Sequence, residues 1–130
     1  MPGIKKYSFI DPGIRTLVAT LNAYGLRTYA SCQGHGFPVD RIKPYIAFTS
    51  TPSEAASFAR SLRHDAESVR PTLNWGWEIT AGFDSDFRLC FRLHPAGPHR
   101  CKSRFCRRSF TADFGRIRLL IKSAQASSGD

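Results

Sequence analysis

Phe87-Arg88-Leu89-Cys90-Phe91-Arg92-Leu93-His94 alternates large apolar side chains with polar or basic ones. A period of two is the pattern of a strand with one face in the core and the other in water. A sheet covered on one face needs a second layer, so this run predicts a two-layer molecule. On this reading Phe87, Leu89, Phe91 and Leu93 face the covering layer, while Arg88, Arg92 and His94 line the opposite face.

The flanking sequence supplies the other elements. Trp75, Trp77 and Ile79 alternate with small or polar residues and predict a strand, joined to the first by a hairpin at Gly82-Phe83-Asp84-Ser85-Asp86. The two indoles point to one face, as core or as a stacking surface; core is the usual place for so much apolar area. Thr51-Pro52-Ser53-Glu54 is a capping box with proline at the first helical position. The helix it opens should turn Ala55, Phe58, Ala59 and Leu62 inward and stop before Pro71. Asp11 reads as an N-cap followed by Pro12, with Ile14, Leu17, Val18, Leu21 and Tyr24 at helical spacing and Gly25 at the C-cap. Leu26 to Ala30 and Pro44 to Phe48 are predicted strands, and residues 37–43 a loop. Residues 95–108 read as irregular. Phe110, Phe114, Ile117, Leu120 and Ile121 mark a last helix, with Asp113, Arg116, Arg118 and Lys122 on its wet side. The expected order is α-β-β-α-β-β-α: an α+β two-layer sandwich, with helices on one face of a mostly antiparallel four-stranded sheet. It forms a single domain over residues 1–122, with a flexible polar tail at 123–130.

Length and composition fit one soluble domain of 130 residues with 42% hydrophobic content. No apolar run is long enough to span a membrane. The start, Met1-Pro2-Gly3-Ile4-Lys5-Lys6, lacks the apolar stretch of a signal peptide, so a cytoplasmic protein is expected. Its four cysteines should then be reduced or metal-bound. The net charge of +9 is segregated: residues 1–87 balance to +1, whereas residues 88–122 carry 10 Lys+Arg against Asp113 alone. Clustered cations are an electrostatic footprint for a polyanion, because neutralised phosphates release counterions. The candidate contacts are Arg88, Arg92, Arg100, Lys102, Arg104, Arg107, Arg108 and Arg116. The plainer reading is a solubilising surface.

Chemistry concentrates in Thr28-Tyr29-Ala30-Ser31-Cys32-Gln33-Gly34-His35-Gly36. A thiol and an imidazole lie three residues apart at a strand's end, among glycines that expose backbone N–H groups. Cys32 and His35 are therefore the catalytic candidates, within a turn formed by Ser31, Cys32, Gly34, His35 and Gly36. No carboxylate lies within the motif; Asp40 could reach His35 if the loop folds back. Alternatively, Cys32 is a small buried hydrophobe, Ser31 caps a turn and the glycines only let the chain bend. A second cluster, His94, His99, Cys101 and Cys106, offers four candidate zinc ligands. Its spacing matches no common finger, and Lys102, Arg104, Arg107 and Arg108 oppose a cation. No cofactor is predicted, with zinc as the alternative.

The run Leu17-Val18-x-x-Leu21-Asn22-x-x-Gly25-Leu26-x-Thr28-x-x-Ser31-Cys32-x-Gly34-His35, followed by Pro44-Tyr45-Ile46-x-Phe48, resembles small uncharacterised bacterial and phage proteins. More distantly, the helix followed by Thr-x-x-Ser-Cys-x-Gly is similar to the tRNA wybutosine-synthesis methyltransferase family. There a Ser-Cys-Ser-Gly-Arg turn follows the strand; His35 stands here in place of the arginine, and Gln33 in place of a serine. The resemblance covers roughly residues 7–48. It implies an accessory protein of a phage or mobile element, or, through the second family, an enzyme acting on RNA at Cys32 and His35. The first expectation is a binder of nucleic acid or of an acidic protein surface, without a membrane, of the kind that can interfere with host defence machinery.

Overall fold

A computed structural model describes residues 10–128, with side chains to residue 124. The amino-terminal stretch that bears on the signal-peptide expectation lies outside the described residues. Three helices and four strands follow the order α1 (Arg15–Ala23), β1 (Arg27–Cys32), β2 (Tyr45–Thr49), α2 (Pro52–Ala66), β3 (Trp75–Phe83), β4 (Leu89–Pro98) and α3 (Arg108–Ser128). A short 3-10 turn, Cys101–Phe105, sits before α3. The sheet order is β1-β2-β4-β3, and every pairing is antiparallel. The helices pack on the sheet, as the period-two and period-3.6 patterns require together. No helix among the described residues is long and apolar enough to cross a membrane.

Local chemistry sets the boundaries. Thr51 Oγ1 accepts the Glu54 backbone N–H at 3.1 Å, and Pro52 opens α2. Gly25, at φ +88°, ends α1: its N–H bonds Asn22 O, and Leu26 N–H reaches Leu21 O at 3.0 Å. Asn22 then holds β1 to α1, donating to Thr28 Oγ1 and accepting Thr28 N–H. Asp11 is not the cap of α1: the helix starts four residues later with Ile14 as N-cap and no side-chain cap bond. Pro12 and Gly13 form a turn, and the Asp11 carboxylate faces the β1 terminus instead.

Three expectations for the second half of the chain need correcting. Phe87 lies in the β3–β4 turn with φ +60° and 85% exposure, so neither it nor Arg88 belongs to the strand. Asp84 causes this by accepting the N–H groups of Asp86 and Arg88, which lifts the preceding residues out of the ladder. Leu89, at 42% exposure, is also beyond the cover of the helices, whereas Phe91 and Leu93 are buried as expected. Residues 95–98 are not irregular but continue β4 opposite Trp75–Trp77 across a bulge. The β2 pairing of β4 spans Phe91 to Leu93, so Pro95 and Pro98 sit where their missing N–H groups break no β2 bond.

The third correction is Asp113, which faces the core rather than water. Fully buried, it accepts Asn74 N–H at 2.7 Å, Trp75 N–H at 3.0 Å, Trp77 Nε1–H at 2.8 Å and the Asn74 side-chain amide at 3.2 Å. Trp75 and Trp77 are core, packed on Phe110 and Phe114 of α3. The polar segment from Ser123 continues α3 as far as Ser128.

Burial pushes the Asp113 carboxyl above its ordinary 3.8; its hydrogen-bond donors oppose that shift without cancelling it. Asp113→Ala leaves buried donors unpaired and is expected to cost about 3 kcal/mol, read by chemical denaturation. The pH dependence has a fixed sign. Because the folded value exceeds the unfolded one, protonation favours the folded state; this contribution is complete below the unfolded value and lost as pH rises through the folded one. The stability margin of the wild type over Asp113→Asn should therefore widen on acidification, and a narrowing margin would mean that the donors outweigh burial.

Candidate functional site

β1 ends at Cys32, which pairs with Tyr45, and the chain turns sharply at once. Gly34 and Gly36 hold φ +86° and +90°, the left-handed region that only glycine enters freely. A Cβ on Gly34 would also come within 3.0 Å of Ile42 O and Pro44 Cδ. His35 and Ile42 exchange backbone hydrogen bonds at 3.0 and 3.1 Å, closing residues 36–41 into a loop. Within the turn, Gly34 N–H points at Cys32 Sγ at 3.4 Å.

The carboxylate missing from the motif arrives from upstream. Asp11 Oδ2 accepts Gln33 N–H at 3.1 Å and lies 3.5 Å from His35 Nε2. Gln33 reciprocates by accepting Gly13 N–H at 2.7 Å, a contact that a Cβ on Gly13 would obstruct. One donor atom each of Asp11, Cys32 and His35 lies within 4.8 Å of the other two. Asp40 does not serve His35: it pairs with Arg104 at 3.1 Å. Asp11 is 24 residues upstream of His35 and can be mistaken for a helix cap. The signal that identifies it is Pro12-Gly13, a turn dipeptide that separates Asp11 from the helix.

The basic segment folds against this same turn. Val39 N–H bonds Arg104 O at 2.7 Å, Arg107 donates to Gly36 O at 3.0 Å, and the rings of Phe37 and Phe105 meet at 5.7 Å. Arg104 and Arg107 thus clamp the motif loop. Arg100, Lys102 and Arg108 are exposed beside them, and Arg116 is exposed on α3. The zinc candidates His94, His99, Cys101 and Cys106 do not come together as a ligand set; among the described residues the only such group is Asp11, Cys32 and His35. His94 instead contacts Thr80 Oγ1 at 3.3 Å and lies 3.8 Å from Glu78.

The uncovered sheet face is aromatic as well as basic. Arg92 lies 4.4 Å above the Tyr45 ring, and Tyr29 is half exposed. The Tyr29 hydroxyl is pushed up to about 12, chiefly by its hydrogen bond with the Cys90 side chain. A cleft of about 450 Å³ is lined by Tyr29, Thr80, Arg92 and the start of the β3–β4 turn. Tyr29 and Tyr45 escape a reading based on charge alone; their alternation with buried neighbours is what marks them.

No protein-family model matches the chain, and no curated protein or solved structure matches it significantly. The turn geometry makes its own prediction. Gly34→Ala should cost about 1–3 kcal/mol of stability and speed amide exchange at His35 and Ile42. Gly82→Ala, with no heavy atom within 4 Å of the added carbon, should change stability by no more than about 0.5 kcal/mol.

Proposed function

We propose that the protein binds single-stranded nucleic acid through the cations beside the glycine turn and the uncovered face of the sheet. One observation carries this reading. Of the seven Lys and Arg residues between 88 and 108, only Arg104 has a carboxylate partner among the described residues. Arg100, Lys102 and Arg108 are exposed beside the exposed rings of Phe37 and Phe105, Arg92 lies over Tyr45 on the sheet, and aromatic stacking with phosphate neutralisation is how single strands are held without sequence readout. An acidic protein surface would satisfy the cations but not the exposed rings of Tyr29, Phe37 and Phe105. The setting is the cytoplasm, and the carrier a phage or mobile element.

A second reading is supported by Asp11. A thiol, an imidazole and a carboxylate gathered at one turn are the set used in thiol catalysis, here on an RNA substrate. Cys32→Ser would then abolish turnover and leave affinity intact.

Fluorescence anisotropy with labelled RNA and DNA oligonucleotides tests the binding reading. Affinity should fall steeply with salt, with a log–log slope of about −0.7 per neutralised phosphate on single strands. Charge reversal at Arg100, Lys102 and Arg108, which leaves the Arg104 and Arg107 clamp in place, should flatten that slope by about 2. Tyr29→Ala should weaken binding by about 1–3 kcal/mol. Unchanged affinity in the triple variant would place the interface elsewhere, and an acidic protein competing where oligonucleotides fail would replace the ligand class.

A further inference from the structure

We propose that Asp11, Cys32 and His35 form a binding site for a zinc-class divalent transition ion, with the fourth coordination position open. The donor set is one carboxylate oxygen, one sulfur and one imidazole nitrogen, which suits a borderline-soft ion. Calcium and magnesium prefer oxygen alone.

A metal site and a catalytic relay use these three groups in different ways. In a relay the imidazole stands between thiol and carboxylate and uses a different ring nitrogen for each. Here one imidazole nitrogen, the sulfur and a carboxylate oxygen all lie within 4.8 Å of one another, close enough to be drawn onto a single ion. The 3.5 Å between His35 Nε2 and Asp11 Oδ2 exceeds a good N–H···O bond. It matches two ligands of one ion, because zinc bonds of about 2.0–2.3 Å at tetrahedral angles put neighbouring donors about 3.3–3.7 Å apart.

The surroundings already fix two of the ligands. Gln33 N–H donates to Asp11 Oδ2 and Gly34 N–H to Cys32 Sγ, outer contacts that orient first ligands and stabilise negative charge on them. Cys32 stands on the rigid end of β1, and the His35–Ile42 bridge holds the histidine backbone. The His35 side chain is 52% exposed and that of Asp11 36%, which leaves an entry path and a position for water. On binding, the Cys32 thiol gives its proton to solvent. Thiolate and carboxylate then balance the ion's two charges, so the loaded site is neutral.

Cobalt(II) titration of tag-free, full-length protein stripped with chelator tests the proposal. One equivalent should produce a thiolate-to-cobalt charge-transfer band with intense tetrahedral d–d absorption, and zinc should displace it. Cys32→Ser should remove the charge-transfer band. Asp11→Asn and His35→Ala should each weaken binding tenfold or more, the least expected when a direct ligand rather than its support is removed. Cys101→Ser with Cys106→Ser should leave the titration unchanged. If Cys32→Ser does not fold, as judged by circular dichroism, Asp11→Asn decides alone, since it alters no sulfur. Absence of a band at one equivalent, a band that survives Cys32→Ser, full affinity in Asp11→Asn, or loss in the Cys101 and Cys106 variant would each overturn the site. Oligonucleotide binding, measured separately, does not depend on these three ligands.

Discussion

The buried Asp113 carboxylate is the constraint on which the rest of the molecule depends. A buried charge is tolerated only with donors around it, and here the start of β3 provides them: two backbone amides, an indole N–H and a side-chain amide. These bonds fix α3 against β3 in one register. Ser109, one turn earlier on α3, accepts Trp75 Nε1–H at 2.8 Å and lies within hydrogen-bond distance of the Ser103 and Cys106 carbonyls. The 3-10 turn is thereby tied to the same helix. Arg104 and Arg107 then stand where they can clamp the loop after Gly36. A core carboxylate thus controls, through three successive contacts, the loop next to His35.

The run from Leu17 to Phe48 divides into residues the fold needs and residues it does not. Asn22, Gly25 and Thr28 lock α1 to β1, and Gly34 meets a backbone conformation and a close approach that other residues resist. Leu17, Val18, Leu21, Leu26, Ile46 and Phe48 are core. Cys32 and His35 add little to the core, and Asp11 adds a single bond, from Gln33 N–H. They are partly or fully exposed, they pack no interior, and they converge. Residues that the fold does not require but nevertheless assembles are where chemistry is to be sought.

Much of the fold is legible in the sequence because local rules and global fold agree there. Thr51 to Glu54, Gly25 and the alternation through Phe91 to His94 each mean the same thing in isolation as in the protein. The misreadings share a cause: a polar residue whose partner is distant in sequence. Asp113 reads as wet, yet it stands three residues from Phe110 and one from Phe114, on the apolar stripe; its partners are 36 to 39 residues upstream. Asp11 reads as a cap because a helix follows it, and its partner is a strand end 22 residues away. Phe87 fails for the opposite reason: Asp84, three residues before it, captures the turn and overrides an alternation that is otherwise sound.

The candidate site was half legible for the same reason. Cys32, His35 and the glycines announce themselves by proximity in the chain, whereas the carboxylate and the clamp do not. What the fold adds is adjacency of two charges of opposite sense. On the readings proposed above, the Asp11, Cys32 and His35 cluster would hold a cation and the surface from Arg100 to Arg108 an anion. They share one wall, the backbone from Gly36 to Asp40, which Arg107 and Arg104 hold at its two ends. An ion held at the cluster would stand beside a surface that draws anions, and an open coordination position there would favour an anionic oxygen ligand.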